Sequence, residues 1–263
     1  MLIDFHAHTF LDKLAAGAVS SLAERAHFKP NTNGTVSATR AIMREQGVDR
    51  FVALNIAVSP HTERHVNDYA ISLLQYPEII PFGSVHPDSP NALSEIDRLY
   101  EAGIKGIKFH NEYMNFRVDD EHAFPIYEAC AEKGMIMLFH AGADRGFPPP
   151  VKTPPEGIAR VWRKCPQAKI VAAHLGGQDM TDRSVEALAD TGVYIDVSFA
   201  ANCVPVEEGE RVIRAFGDRV LFGSDCPWDT PAHTLEYLNK MHFTEEQKEK
   251  ICFRTALKLL GEE

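Results

Sequence analysis

The chain has 263 residues, 44% hydrophobic and 24% charged, a balance that fits one large globular domain and leaves too little chain for a second. A formal charge of −10 opposes attraction to phosphate backbones or anionic lipid, so neither nucleic acid nor a membrane surface is expected as a partner. No apolar run approaches the roughly 20 residues of a membrane span, and Met1-Leu2-Ile3-Asp4 has neither a basic stretch nor a long apolar one, so a cytoplasmic location is expected.

In chain order, short apolar runs rich in β-branched residues alternate with segments of helical period, the pattern of βαβ units. The predicted strands are Leu2 to His6, Arg50 to Val58, Ile79 to Val85, Ile104 to His110, Met135 to His140, Lys169 to His174, Val193 to Ser198 and Arg219 to Ser224. Between them, Val66, Tyr69, Ala70, Leu73 and Leu74 share one helical face, and Ala92, Leu93, Ile96, Leu99 and Tyr100 share another. Gly103, Gly134 and Gly192 follow helical segments where left-handed C-caps would stand. Thr244 and Gln247 form a capping box that opens a last helix running toward Leu260. Eight strands with crossover helices predict an α/β fold, a (β/α)8 TIM barrel occupying residues 1–263. An open doubly wound sheet is the alternative.

Two stretches break the rhythm. Residues 10–35, ending in Pro30-Asn31-Thr32-Asn33-Gly34, read as a loop insertion after the first strand, placed to act as a lid. The proline-rich stretch from Asp144 to Glu156 reads as a stiff, extended loop that shapes a pocket wall.

The residues able to carry chemistry stand at the C-terminal ends of predicted strands, the face on which barrel enzymes build their sites. His6 and His8 are two apart, so strand alternation points both one way, with Asp4 below them. Alone, an H-x-H pair is weak evidence, and any single histidine at a strand end is as well explained by a structural hydrogen bond. Here His110, His140, His174 and Asp225 end four further strands, and imidazoles with a carboxylate suit Zn²⁺, Fe²⁺ or Mn²⁺. The five cysteines are odd in number and form no C-x-x-C pair, so they read as reduced thiols, with Cys226 a packed small residue.

The segments Ile3-Asp4-Phe5-His6-Ala7-His8, Gly106-Ile107-Lys108-Phe109-His110, Leu138-Phe139-His140-Ala141-Gly142, Ala173-His174-Leu175-Gly176-Gly177 and Leu221 to Trp228 together resemble the amidohydrolase-2 family, the branch with aminocarboxymuconate semialdehyde decarboxylase and lactone-hydrolysing relatives. The resemblance runs from the first strand to the last helix. It implies that His6, His8, His140 and Asp225 hold one divalent metal ion, with Zn²⁺ expected and Mn²⁺ or Fe²⁺ as alternatives. It also implies that His174 is the general acid/base, with Asp225 sharing the proton transfer. His110 is then a substrate-pocket residue, or a ligand if a second metal binds, in which case Lys108 would be its carboxylated bridge.

The reaction implied is hydrolysis of a small carboxylated lactone, ester or amide. The alternatives are nonoxidative decarboxylation with the same residues and, less favoured, a non-catalytic ligand-binding barrel. Nothing in the ligand set separates hydrolysis from decarboxylation; Gly176-Gly177 leading into Gln178-Asp179-Met180, where the resembled decarboxylase runs through glycines to an arginine, tilts toward hydrolysis. Arg145, Arg117 and Lys108 are candidates to bind a substrate carboxylate. Tyr113, Gln178 and Trp228 stand where they could line the pocket, and His61, His65, His86, His122, His233 and His242 read as structural or surface residues. A homodimer is compatible with this reading.

Overall fold

A computed structural model describes all 263 residues. The strands are β1 (Ile3–Ala7), β2 (Arg50–Leu54), β3 (Ile79–Phe82), β4 (Gly106–Phe109), β5 (Ile136–Phe139), β6 (Lys169–Ala172), β7 (Tyr194–Asp196) and β8 (Val220–Leu221). All pairings are parallel, in two runs, β1-β2-β3 and β4 to β8 in order. Single bridges close the ring: Gly83 with Ile107 joins β3 to β4, and Ala7 with Cys226 joins the end of β1 to the chain beyond β8. The result is the (β/α)8 barrel, and the open sheet is excluded.

The helices are α1 (Asp12–Ala26), α2 (Val36–Glu45), α3 (Glu63–Ser72), α4 (Ala92–Glu101), α5 (Asn111–Met114), α6 (Phe124–Glu132), α7 (Pro155–Lys164), α8 (Thr181–Leu188), α9 (Val206–Phe216), α10 (Pro231–Asn239), α11 (Glu245–Glu249) and α12 (Thr255–Leu260). No helix is long and apolar enough to cross a membrane.

Strand alternation sorts the core into two layers. Val52, Leu54, Phe82, Ile136, Leu138, Val171 and Leu221 fill the barrel, and Ala256, Leu259 and Leu260 of α12 join them. Their neighbours Phe51, Ala53, Met137, Phe139, Ile170, Ala172 and Phe222 face the helices. Burial on both sides explains why the strands read as continuous apolar runs.

Several local expectations are corrected. The strands end earlier than the apolar runs suggest; β2 stops at Leu54, and Asn55 caps it by donating to the Phe82 carbonyl at 3.0 Å. The expected loop insertion is mostly the helix α1, pinned by a bridge between Phe10 and Thr35. Leu93 and Tyr100 are exposed, because α4 buries Ala92, Glu95, Ile96 and Leu99, and these two stand about a quarter turn round from that stripe. Leu74, placed on the inner face of its helix, is likewise exposed. Gly103 and Gly134 have φ of 90° and 64°, the left-handed cap geometry, but Gly192 does not. A Cβ there would lie 2.9 Å from the Trp162 ring nitrogen, so close packing is what Gly192 permits. The Thr244–Gln247 capping box is present in full.

Candidate metal centre and active site

The loops following the strands meet around a cavity of about 950 Å³. His6, His8, Lys108, His110, His140, His174 and Asp225 line it, with Arg145, Tyr113, Gln178 and Trp228 above them. His65, expected to be structural or at the surface, also lines it. Arg117 does not. It pairs with Asp119 and lines a separate cleft beside Pro149, Pro150 and Arg160, because the chain after His110 turns into α5 and carries residue 117 away from the mouth. The proline-rich loop is likewise divided: Asp144 and Arg145 face the large cavity, and Pro149, Pro150 and Pro154 line the separate cleft.

At the floor, a run of imidazoles passes round the barrel mouth. Ring centroids are 5.2 Å apart for His8 and His6, 5.1 Å for His6 and His174, 4.8 Å for His174 and His140, and 4.2 Å for His140 and His110, the last pair nearly parallel. Local backbone aims these groups. His174 would follow Ala172 toward the helices by alternation, but φ of 57° at His174 and 56° at Leu175 turns its ring into the mouth. Asp225 also has positive φ, 69°, and its N–H donates to the His6 carbonyl at 2.7 Å. Gly223 lets β8 approach β1: a Cβ there would sit 2.9 Å from the His6 Cβ.

The hydrogen-bond partners assign the ring tautomers. His8 Nδ1 lies 3.1 Å from the Leu54 carbonyl, which can only accept, so Nδ1 carries the proton and Nε2 presents a lone pair. His6 Nδ1 donates to Asp196 Oδ2 at 2.8 Å, again leaving Nε2 bare. The Ser198 hydroxyl donates to Asp196 Oδ1, so His174 Nδ1 must donate to Ser198, whose carbonyl oxygen is 3.2 Å away. His174 Nε2 then accepts from His140 Nδ1 at 3.1 Å, and His140 Nε2 is left as a buried lone pair with no partner. The three histidines expected as ligands therefore all present unprotonated Nε2 atoms.

Two of those lone pairs face an acceptor. His8 Nε2 is 3.2 Å and His6 Nε2 3.4 Å from Asp225 Oδ1, an arrangement of three acceptors that a cation between them would reconcile. The residues present thus fit a divalent metal. His6, His8 and Asp225 form one compact donor group; His6, His174 and Asp196 form another, and His110, His140 and Asp144 a third. His140 is therefore beside the first group and not within it.

Electrostatics follow from burial and these partners. Burial, reinforced by the Lys108 charge, lowers His6 to about 3, keeping the imidazole neutral as a ligand must be. Burial lowers Lys108 to about 8, opposed by the charges of Asp196, Asp225 and Asp144, and its Nζ lies 3.4 Å from His6 Nε2. Burial would raise Asp225, but the imidazole groups of His8, His6 and His174 around it outweigh burial and hold it below the usual carboxylate range. Asp196 is held low by His6 in the same way, against burial.

Asp4, below the His6–His8 pair, accepts from the backbone N–H groups of His6 and Ser224, both at 3.0 Å, and bonds to neither ring. The orienting role beside His6 belongs to Asp196, which the sequence reading passed over. Its signal was an ionisable residue within the apolar run Val193-Tyr194-Ile195-Asp196-Val197. Asp144 was also missed; its Oδ2 accepts from His110 Nε2 at 3.2 Å. All five thiols are free, and Cys226 is buried, which pushes its pKa up and argues against a nucleophile.

A barrel with imidazoles and carboxylates at its strand ends defines a class of metal-dependent enzymes, and the comparisons give the family. The amidohydrolase family model matches residues 3–261, and the chain belongs to that family, whose members are enzymes that include hydrolases and decarboxylases. No curated protein matches by sequence. Among solved structures, a TIM-barrel protein from Bordetella bronchiseptica is 21% identical, with a TM-score of 0.77 over 99% of this chain and 98% of that one. A dihydroxybenzoic acid decarboxylase from Polaromonas, with bound manganese and the inhibitor 2-nitroresorcinol, is 15% identical, with a TM-score of 0.75 over 99% and 96%. A probable 2-pyrone-4,6-dicarboxylic acid hydrolase from Acinetobacter baumannii, with bound citric acid, is 15% identical, with a TM-score of 0.71 over 99% of each chain.

Proposed function

We propose that the protein is a metal-dependent hydrolase that cleaves a carboxylated lactone, ester or amide. The observation that carries this is the group of three facing acceptors, His6 Nε2, His8 Nε2 and Asp225 Oδ1, at the floor of a cavity of about 950 Å³. His6, His8 and Asp225 would hold one divalent ion there, with His140 Nε2 as the adjoining free donor. Such an ion supplies Lewis acidity toward a carbonyl and makes hydroxide available near neutral pH. The cavity is large enough to admit water beside the substrate, and water is the second reactant of hydrolysis.

The chain's own groups handle the protons. Asp225, held ionised, can accept a proton at its second carboxylate oxygen, the one not used to hold the ion. His174 accepts only at Nε2, the lone pair that faces His140 Nδ1–H, so a proton taken there from the reacting water makes His174 an imidazolium that can give the same proton to the leaving group. Asp196 and Ser198 keep His6 and His174 in the required tautomers. Arg145, whose guanidinium lies 4.9 Å from the Phe28 ring and 6.0 Å from Phe199, offers the cation for a substrate carboxylate.

Nonoxidative decarboxylation is the second reading, favoured by His174, which once protonated at Nε2 can deliver that proton to carbon, and by the manganese-bound decarboxylase among the structural neighbours. Turnover in ¹⁸O-labelled water separates the two. Hydrolysis places label in a product carboxyl group with no carbon dioxide released; stoichiometric carbon dioxide with solvent deuterium entering carbon overturns the hydrolytic reading.

A further inference from the structure

The upper half of the cavity does not resemble its floor. Leu11, Leu14, Ala18, Leu22 and Ala26, spaced three or four residues apart along α1 and its leading residue, all line it. Of the fifteen residues of α1 only Ala15 and Val19 are buried, so the helix turns a second apolar stripe into the cavity instead of into the core. Across from it stand Ile56, Val58 and Val66 from the loop after β2 and α3. Leu14 is 56% exposed and Val58 47%, two of the six large apolar side chains exposed anywhere on the protein, and they line the same cavity. Away from the floor its charged lining residues are Lys13, Asp68, Asp144 and Arg145, and Asp68 is paired with Arg98 at 3.0 Å.

We infer that the substrate is amphipathic: a carboxyl-derived head at the His6–His8–Asp225 floor, and an alkyl or aryl arm lying between α1 and the β2 loop. The inference rests on the proposed site for where the head sits. Continuity decides the occupant, because the apolar walls of α1 and the β2 loop line the same cavity as the His6–His8–Asp225 floor. Size supports it too: about 950 Å³ is at the upper end of ligand cavities, far more than a head group of a few atoms fills. Leu14 and Val58, left in water otherwise, are then covered by the arm.

Straight-chain carboxylates from butanoate to decanoate, below their micelle-forming concentrations, are suitable probes because they bind without reacting. Calorimetry on the full-length, metal-loaded protein is expected to show affinity rising about fourfold per methylene. Leu14→Asp with Val58→Asp is expected to flatten that slope, with metal content and melting temperature unchanged, since both side chains are already exposed. Leu93→Asp, an equally exposed site on α4, is expected to leave the slope intact. Affinity independent of chain length, or a slope that survives the Leu14 and Val58 changes, overturns the inference. If the slope behaves as expected but octanoyl esters and lactones are not cleaved, the amphipathic cavity stands and the hydrolytic reading falls.

Discussion

Asp196 shows how one carboxylate sets the chemistry of several side chains. It accepts from His6 Nδ1, from the Ser198 hydroxyl and from the His174 backbone N–H, the last at 2.9 Å, so it fixes both the tautomer of His6 and the turn that aims His174. Asp196→Asn can donate as well as accept, which permits the wrong His6 tautomer. A loss in metal affinity of about 10- to 100-fold is expected, read by titration against a competing chelator. His174→Asn is different: the proposed ligands remain, so metal content should hold while kcat falls by about 10² or more. Loss of metal in that variant would make His174 a ligand and revive a two-metal site with His110 and Lys108. The sequence displayed His6, His8, His110, His140, His174 and Asp225 because parallel strands deliver their last residues to one rim. It did not display Asp196, which lies inside the strand run, nor the positive φ that redirects His174, because both depend on partners distant in the chain.

At the level of elements, the same periodicity that located the strands misread α1. A helix is recognised by the stripe it buries, and α1 buries two residues; its apolar stripe faces a cavity, which sequence periodicity alone does not distinguish from a loop with scattered leucines. Arg117 fails for a related reason, since its distance from His110 along the chain says nothing of the turn through α5. The close approach of β8 to β1 makes a test at this scale. Gly223→Ala places a Cβ about where the His6 Cβ needs room, so the strands must separate and the His6–His8–Asp225 group must widen. The variant is expected to lose metal affinity more than fold stability, with thermal unfolding and metal titration measured side by side. Equal metal affinity in the variant would show that the floor tolerates the shift and that this packing does not set the site.

For the whole molecule, the metal belongs to the stability of the fold as much as to the chemistry. Its proposed ligands come from β1 and from the end of β8, where the ring is closed by a single bridge and a few backbone bonds, among them Phe5 N–H to the Phe222 carbonyl at 2.8 Å. An ion held by His6, His8 and Asp225 would tie the first strand to the last. It also removes the repulsion among three acceptors that the metal-free state must otherwise relieve by protonating an imidazole or by moving apart. The purified protein is therefore expected to carry close to one equivalent of divalent ion, Zn²⁺ before Mn²⁺ or Fe²⁺, by elemental analysis. Because the folded state binds and the unfolded chain does not hold this geometry, free metal at about 100 times Kd should add about 2.7 kcal/mol of stability. In a chain of this size that corresponds to a rise in Tm on the order of 5–10 °C over the chelator-stripped protein. The gain should weaken at acid pH, where protons compete with the ion for its ligands. A stripped protein whose melting temperature ignores Zn²⁺ and Mn²⁺ at neutral pH would remove the metal from the strand-end site and, with it, the proposed reaction.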